Sequence, residues 1–332
     1  MRTLIVGGGG FIGLNIAEAL LHSGREVVLF DRAVPAAALA ELRLIGPPCS
    51  VIEGDVRDAA ALAAALAPAT DSVVYGAAIT ADAVRDASDP EAIIDINLTS
   101  LVRVLRAARD AGVRRVVNLS SGVALGAAAF PVDGSLLDED LAADPQAIYS
   151  ITKFAGERVA ARLAALWQLD VRSVRLSAVF GPWEHLTGAR STPSPQFQIA
   201  AHALAGDIAI LERPGMRDWI YAPDIAQGVR RLLVAAAPAH ALYNLSTGIT
   251  YAALAWGEAL AQAWQGSGFA CRLARPGELP NVALHGAVDR ASMNVARATA
   301  DLGFAADWGL AASARHYADW IRAHRWCFDV QT

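Results

Sequence analysis

The feature that most constrains the fold is a short apolar strand that runs directly into a glycine-rich turn and then into a helix. Residues 4–6 are followed by Gly7-Gly8-Gly9-Gly10-Phe11-Ile12-Gly13. Glycines at 7, 10 and 13 permit a tight turn and let a ligand approach the backbone closely. The next helix would offer free N–H groups and a partial positive charge, which together predict a pyrophosphate-binding loop. The strand–turn–helix context argues against the alternative, a glycine turn without a ligand.

Short apolar runs alternate with helical patterns through the first half of the chain. We predict strands at 4–6, 27–30, 50–52, 72–75, 115–119, 171–176 and 243–245. We predict helices at 11–23, 35–44, 58–67, 88–111 and 146–168. This alternation indicates βαβ units with right-handed crossovers. The predicted fold class is therefore α/β, with a Rossmann-type doubly wound parallel sheet covered by helices on both faces.

The pattern changes after residue 180, where loop-like segments separate helical signals near 195–205, 224–237 and 251–265 and in part of 291–325. We predict a dinucleotide-binding domain over 1–180 that regains a strand and a helix near 218–250. The rest, 181–217 and 251–332, is predicted to form a smaller C-terminal substrate lobe.

The composition narrows the class of protein. Of the 332 residues, 54% are hydrophobic and 18% are charged, which argues against disorder. The net charge is -5 without a basic tract, so nucleic acid is not expected as a partner. Three distant cysteines and seven histidines show no metal-ligand spacing, and we expect no metal site. Neither a signal peptide nor a membrane span is predicted, and the cytoplasm is the expected location.

Acidic residues follow the second and third predicted strands. Asp31 could accept hydrogen bonds from both ribose hydroxyls and would repel a 2′-phosphate, which favours NAD over NADP. Arg32 complicates this choice, because a neighbouring arginine accommodates that phosphate. Asp55, in Gly54-Asp55-Val56, is placed to contact the adenine amino group, while Asp58 is a candidate N-cap for the next helix.

Lysine occurs once in the chain, as Lys153, although the chain has 28 basic residues. It follows Tyr149 by four residues at the start of a long predicted helix, so the two side chains share one face. The ammonium and a cationic nicotinamide ring would favour a phenolate, which accepts a proton from a substrate hydroxyl. Ser121, after the 115–119 strand, could hold that oxygen. A surface Tyr–Lys pair is the alternative, but an arginine-rich chain has little reason to keep a lone lysine there.

In this order, these features resemble the extended short-chain dehydrogenase/reductases of the NAD-dependent epimerase/dehydratase family, from residue 3 to about 310. The resemblance implies that the catalytic residues are Ser121, Tyr149, Lys153 and a helix asparagine, Asn97. It implies that the cofactor contacts are Gly7, Gly10, Phe11, Ile12, Gly13, Asp31, Arg32, Asp55, Val56, Ala77, Ala78, Tyr149 and Lys153. It implies that the substrate contacts are Thr80, Ser121, His185, Arg217 and Asp224.

Later segments carry the same resemblance, namely 175–182, 217–224 and 243–248. In nucleotide-sugar enzymes of this family, the arginine that matches Arg217 contacts the substrate diphosphate, a task that suits a bidentate guanidinium. A salt bridge from Arg217 to Asp218 or Asp224 is the alternative. The alternative interpretation of His185 is a solvated loop histidine. The alternative interpretation of Asn97 is a polar residue that the helix tolerates.

Two departures from the family pattern bear on function. Ala178 stands where the family often has an asparagine that helps to hold the sugar nucleotide. Gly122-Val123 stands where the family's 4,6-dehydratases carry Asp-Glu, and neither residue can supply an acid or a base, so dehydratase activity is not expected.

Three functions remain open. The first is an epimerase of a sugar or nucleotide-sugar, in which a hydroxyl is oxidised to a ketone and hydride returns to the other face; Arg217 favours it. The second is a dehydrogenase or reductase of a free sugar, sugar acid or similar alcohol with net cofactor turnover, which Ala178 favours. The third, a non-catalytic dinucleotide-binding module, is disfavoured by the Tyr149–Lys153 pair. Helices that match 88–111 and 146–168 often form a dimer interface in the family, which implies a homodimer.

Overall fold

The computed structural model describes residues 1–66, 69–131, 134–190, 192–264, 266, 268–286 and 288–329. The strands within these ranges are β1 Arg2–Val6, β2 Glu26–Asp31, β3 Cys49–Glu53, β4 Ser72–Tyr75, β5 Arg115–Ser121, β6 Asp170–Leu176, β7 Ala178–Phe180, β8 Ile208–Leu211, β9 Met216–Arg217, β10 Trp219–Tyr221, β11 Leu242–Leu245, β12 Tyr251–Ala252 and β13 Ala270–Leu273. The α-helices are α1 Phe11–His22, α2 Ala36–Leu44, α3 Ala59–Leu66, α4 Ala83–Ser88, α5 Pro90–Ile94, α6 Ser100–Asp110, α7 Ile148–Trp167, α8 Pro195–Ala205, α9 Ala222–Val234, α10 Ala253–Ala263, α11 Ala296–Leu302 and α12 Leu310–Ala323.

Seven parallel strands form the central sheet in the order β11-β6-β5-β4-β1-β2-β3. These are the seven strands predicted from the apolar runs, and the predicted doubly wound α/β fold is confirmed. The chain leaves β1 toward β2 and β3 and later returns to β4 on the other side of β1. The strand order therefore reverses between β1 and β4, where open sheets of this kind form a ligand crevice at the carboxyl ends of their strands.

Both faces of the sheet are apolar, because each is covered by helices. Ile5 and Leu29 belong to a core shared with α1, α2 and α9. Leu4 and Val28, which point to the opposite face, pack with α3, α6 and α7. These two layers hold the carboxyl ends of the strands in a rigid frame.

A separate apolar core includes Phe180, Trp256 and Tyr317 from β7, α10 and α12, and the elements around this core are called the smaller lobe below. Its strands form three two-stranded sheets, β7 with β10, β8 with β13 and β9 with β12. The segment 266–290, expected to be a loop, contains β13 of this lobe, since so short a strand leaves no recognisable period. The division into two domains with the boundaries given above stays a prediction.

The helix predicted over 88–111 is divided. Helix α5 begins at Pro90, which lacks an N–H and cannot continue the preceding α4. A π-helical turn, Asp95–Thr99, then precedes α6. The apolar period continues across these breaks, so the sequence pattern did not reveal them. Within the described part of the chain, no helix is both long and apolar enough to span a membrane.

Candidate active site

A cavity of about 580 Å³ lies at the carboxyl ends of β1, β4, β5 and β6. Its walls comprise the glycine turn, the loop after β4, the ends of β5 and β6 and the first turns of α7. The smaller lobe closes it with Arg217 and with loop residues from 184–192 and 283–290. The cavity therefore lies where the strand order of the sheet reverses.

The glycines of the turn differ in what requires them. Gly7 has φ +83°, a conformation that favours glycine. A Cβ at Gly9 would lie 2.2 Å from the Ala33 carbonyl oxygen, and one at Gly13 would lie 2.4 Å from the Gly7 oxygen. A Cβ at Gly10 would meet only the Gly7 oxygen, at 3.4 Å, among the described atoms. Packing therefore requires glycine at positions 9 and 13. At position 10, glycine instead leaves the backbone open to the approach of a ligand in the cavity.

The N-terminus of α1 faces this cavity. Gly10 is its N-cap, no described side chain caps it, and its first turn contains no acidic residue. Phe11, Ile12 and Gly13 line the cavity wall. The free N–H groups and the helix dipole fit a pyrophosphate here.

Asp31 ties the end of β2 to the glycine turn. Its carboxylate accepts the backbone N–H of Gly9 at 3.0 Å and that of Arg32 at 2.7 Å. Burial raises the pKa of this carboxyl, and the two N–H groups oppose the shift. The Arg32 side chain is exposed, and neither residue belongs to the cavity wall itself. Asp31 therefore presents its acceptor beside the turn that would hold a dinucleotide.

The loop after β3 also lies outside the cavity wall. Asp55 forms an ion pair with Arg57 at 2.6 Å, and these hydrogen bonds lower the pKa of Asp55 to about 2. Val56 is buried in the core. Asp58 accepts the N–H groups of the first turn of α3 at 2.8 and 3.1 Å, which confirms it as the N-cap. A contact from Asp55 or Val56 to an adenine ring stays a prediction.

The structure brings Ser121, Tyr149 and Lys153 to one cavity, from the end of β5 and the first turns of α7. The Lys153 Nζ lies 5.7 Å from the centre of the Tyr149 ring and donates a hydrogen bond to the Leu119 carbonyl at 2.8 Å. No described residue forms a hydrogen bond with the Tyr149 hydroxyl. That hydroxyl can therefore meet a bound molecule beside a fixed ammonium.

A buried ion pair behind this group was missed from the sequence. Glu157 accepts hydrogen bonds from Ser120 Oγ at 2.6 Å and from Arg175 Nε and Nη2 at 2.9 and 2.8 Å. The side chains of Arg175 and Glu157 are only 2% and 4% exposed. The pair joins α7 to β5 and β6 next to the cavity. Glu157 follows Lys153 by four residues and therefore lies on the same helix face, and this spacing could have indicated from the sequence that it lies near the site.

Asn97 does not line the cavity. It is buried in the π-helical turn, where Oδ1 accepts the Ile79 N–H at 2.8 Å and Nδ2 donates to the Ile79 carbonyl at 3.0 Å and to Thr152 Oγ1 at 3.2 Å. It therefore joins the loop after β4 to α7. These contacts position other groups, and the catalytic role expected for Asn97 stays a prediction.

The loop that Asn97 holds contains three other predicted site residues. Ala78 and Thr80 line the cavity. Ala77 instead lies behind the glycine turn, since a Cβ at Gly7 would come within 2.6 Å of its backbone nitrogen.

Arg217, in β9, lines the cavity and forms no ion pair with a described residue. Burial lowers its pKa to about 10, and the nearby Arg290 guanidinium acts in the same direction. The side chain remains cationic at neutral pH and donates Nη2 to the His285 carbonyl. The alternative salt bridge to Asp218 is not formed, because Asp218 pairs with Arg290 at 3.3 Å. Arg217 is thus a partly desolvated cation available to an anionic ligand.

Asp224, a predicted substrate contact, does not line the cavity. It lies buried in the first turn of α9, where its carboxylate accepts the N–H groups of Asp307 at 2.9 Å and Trp308 at 3.3 Å. Burial raises its pKa to about 6. With both oxygens bound to backbone of another segment, Asp224 joins α9 to the segment before α12.

Two histidines line the cavity, the predicted His185 and His285, which the sequence did not suggest. The Nδ1 of His185 lies 2.8 Å from the Trp183 carbonyl oxygen, and burial lowers its pKa. Burial lowers the pKa of His285 to about 4. His285 is therefore neutral at neutral pH and adds no charge to the wall.

Arg290 was also missed from the sequence, and it lies beside the ends of β5 and β6. Its Nη2 donates to Ser177 Oγ at 3.1 Å and to Asp218 Oδ1 at 3.3 Å. A Cβ at Gly122 would lie 2.9 Å from its Nη1. Nothing local marked Arg290, which stands 113 residues from Ser177 in the chain. Among the described residues, no group of three or more His, Cys, Asp or Glu is placed to hold a metal ion.

Comparison with known proteins agrees with this arrangement. A sequence model described as the NAD dependent epimerase/dehydratase family matches residues 3–246. The UDP-glucose 4-epimerase of Mycolicibacterium smegmatis is 29% identical over 260 residues, which cover 75% of this chain and 78% of that protein. The dTDP-glucose 4,6-dehydratase of the same organism is 27% identical over 237 residues, with coverages of 70% and 69%.

Solved structures show the same relationship. The UDP-glucose 4-epimerase of Thermus thermophilus, in complex with NAD, has a TM-score of 0.75 and is 26% identical, covering 97% of this chain and 99% of that chain. From the family match over residues 3–246, together with the glycine turn and the Tyr149–Lys153 pair, the chain belongs to the NAD dependent epimerase/dehydratase family.

Proposed function

We propose that this chain binds NAD across the glycine turn, with the pyrophosphate at the N-terminus of α1 and the adenosine ribose at Asp31. The backbone exposed at Gly10 and the uncapped helix start fit that group. A carboxylate at the end of β2 disfavours the 2′-phosphate of NADP. Calorimetric titration is expected to give a lower Kd for NAD than for NADP. Equal affinities would contradict the role of Asp31.

We propose a hydroxyl-oxidising site made of Ser121, Tyr149 and Lys153. The Ser121 hydroxyl holds the substrate oxygen, and the Tyr149 oxygen accepts the hydroxyl proton as a carbonyl forms. Lys153, fixed by its bond to the Leu119 carbonyl, places its charge beside the Tyr149 ring. When bound, NAD accepts a hydride from the same carbon and can return it. Return of the proton by Tyr149 then completes a reduction.

The favoured reaction is epimerisation of a sugar nucleotide, with the hydride returned to the opposite face of the ketone. The observation that carries this proposal is the unpaired Arg217, which lines the same cavity as Tyr149 and Ser121. A desolvated guanidinium is suited to a diphosphate, and a nucleotide-sugar joins that group to the reacting hydroxyl, whereas a free sugar does not. The relatives named as UDP-glucose 4-epimerases support the choice.

The test is turnover of UDP-glucose by the wild type and by Tyr149→Phe. We expect the variant to lose at least about 100-fold in kcat, since positioned acid–base groups contribute about 10²- to 10⁴-fold. Its Kd for NAD should stay within a few-fold of the wild-type value. Near-normal turnover by the variant would refute the assignment of Tyr149. Absence of turnover by a wild type that binds NAD would instead favour the third possibility, a non-catalytic dinucleotide-binding module.

A second candidate is a dehydrogenase of a free sugar, sugar acid or similar alcohol. Ala178 favours it, because it lines the cavity where the family often has an asparagine for the sugar nucleotide. The two reactions differ in NADH, which accumulates only with net oxidation. Absorbance of NADH across free aldoses, uronates, aldonates and nucleotide-sugars separates them. Accumulation with a free sugar would replace the epimerase proposal.

We also propose that the chain is not a 4,6-dehydratase, although one such enzyme is among its relatives. Neither Gly122 nor Val123 supplies an acid or a base. A Cβ at 122 would lie 2.0 Å from Met293 Cε, so a side chain there would require Met293 to move. Incubation with dTDP-glucose should yield no 4-keto-6-deoxy product by mass spectrometry. Formation of that product would contradict this proposal.

Finally, we propose a homodimer through α6 and α7. Ile151 and Leu166 on α7 are 44% and 56% exposed, and the helices that match 88–111 and 146–168 often form a dimer interface in the family. Light scattering after size-exclusion chromatography should give twice the chain mass. A monomer at micromolar concentration would contradict the proposal.

A further inference from the structure

The guanidinium of Arg290 lies at the end of the cavity where β5 and β6 finish. Ser121 and Leu176 are paired residues on these two strands, and Arg290 bonds Ser177, the next residue after Leu176. On the other strand, a Cβ at Gly122 would lie 2.9 Å from Arg290 Nη1. The guanidinium therefore spans both strand ends, directly beside the serine proposed to hold the reacting oxygen.

Arg290 is held firmly from one side. Its partner Asp218 is fully buried and also accepts Ser246 Oγ at 2.8 Å and the Met293 N–H at 3.0 Å. The bonds that Arg290 forms with described residues all come from Nη2, and its buried Nε has no partner among them. A guanidinium has five N–H donors, and buried donors without acceptors cost free energy. Nη1, which faces Gly122, also forms no bond with a described residue, and it is the nitrogen left for a further acceptor.

We propose that Arg290 binds a carboxylate carried by the reacting sugar, so that the preferred substrate is an acidic sugar of the uronate type. This inference rests on the proposed sugar oxidation at Ser121 and Tyr149. A carboxylate oxygen forms a strong, charge-assisted hydrogen bond with a guanidinium N–H such as that of Nη1. Arg217, which forms no ion pair with a described residue, lies in β9 and suits an anion farther from the reacting carbon, such as a diphosphate.

Glycine at 122 is part of this arrangement. Any side chain there would collide with Met293 and would come within 3.3 Å of the Arg290 Cζ. The missing Cβ therefore lets the guanidinium approach the end of β5. Arg190, a further cation of the wall, pairs with Glu184 at 2.8 Å.

The experiment compares UDP-glucuronate with UDP-glucose, which differ only in a carboxylate or a hydroxymethyl group at the sugar. We expect the wild type to have the higher kcat/KM for the acid. Arg290→Gln should lower the ratio of kcat/KM for acid over neutral substrate by about 10- to 100-fold, the usual range for a hydrogen bond to a charged group. The ratio for Arg290→Lys, which keeps the charge but not the guanidinium, should lie between those of the wild type and Arg290→Gln.

Arg213→Gln is the matched control. Arg213 holds the same loop through Asp289 and the Gly286 carbonyl, yet it does not line the cavity. Its acid-to-neutral ratio should equal that of the wild type. Urea denaturation of each variant separates loss of the contact from loss of the fold.

Three outcomes would overturn the inference while leaving the epimerase proposal intact. The first is a higher wild-type kcat/KM for UDP-glucose than for UDP-glucuronate. The second is an equal loss of kcat/KM for both substrates in Arg290→Gln. The third is a loss of affinity for UDP alone in that variant as large as its loss for the sugar nucleotides, which would assign Arg290 to the diphosphate. If neither sugar is turned over, the proposed function fails instead. Calorimetric binding of the same two compounds then decides on Arg290: a preference for the acid that Arg290→Gln abolishes supports it, and equal affinity refutes it.

Discussion

Replacing Glu157 by glutamine should expose how much the buried ion pair behind the active site contributes to stability. Glutamine has nearly the same shape as glutamate but carries no charge. It keeps one carbonyl acceptor, which cannot serve both Ser120 and the two nitrogens of Arg175 that now bind the carboxylate. The variant therefore leaves the Arg175 guanidinium, 2% exposed, without its counterion.

The expected cost follows from that burial. Removing one partner of a buried ion pair typically costs about 3–5 kcal/mol, because the remaining charge stays desolvated. Arg175 keeps its bond to the Glu139 carbonyl at 3.1 Å, and the new amide oxygen keeps one of the lost contacts. We therefore expect the low end, about 3 kcal/mol, which is roughly a hundredfold change in the unfolding equilibrium constant.

Urea denaturation followed by far-ultraviolet circular dichroism measures this difference. The control is Asp319→Asn, which breaks the pair with Arg322 at 2.7 Å, where the two side chains are 83% and 32% exposed. Exposed pairs contribute at most about 1 kcal/mol. If the free energies of unfolding of Glu157→Gln and of this control differ by less than about 1 kcal/mol, the argument that this pair joins α7 to the sheet is wrong.

Lys153→Arg should lose about 100-fold or more in kcat despite keeping the charge, because a larger guanidinium must enter a buried position; full activity would refute the argument from the single lysine. Gly9→Ala should destabilise the fold by about 1–3 kcal/mol through its collision with Ala33, whereas Gly10→Ala should keep wild-type stability and bind NAD less tightly in calorimetry; the reverse pattern would contradict the packing analysis. The pKa of Asp224, raised to about 6, means that the folded state favours the protonated carboxyl, so its contribution to stability is present below about pH 4 and is lost as the pH rises toward 6. Relative to the wild type, Asp224→Asn should therefore gain about 3 kcal/mol between about pH 4 and pH 7 in urea titrations, and a pH-independent difference would refute the shift.

The parts of this protein that the sequence predicted correctly depend on neighbouring residues. Each strand of the central sheet is a short apolar run, and the glycine turn, the Asp58 cap and the Tyr149–Lys153 spacing are all readable within a few residues. Local pattern also has a limit, since the helix predicted over 88–111 is broken at Pro90 and at the π-helical turn while its apolar period continues.

The sequence by itself determined the doubly wound sheet, the glycine turn and the Tyr149–Lys153 group. Only the tertiary structure decided which distant charges reach that group. Arg290 contacts Ser177 across 113 residues of chain, and Asp224 lies away from the cavity although it belongs to a motif that also contains Arg217. The physical reason is that periodicity and backbone propensity act over one or two turns, whereas the partner of a buried charge depends on how the two lobes pack.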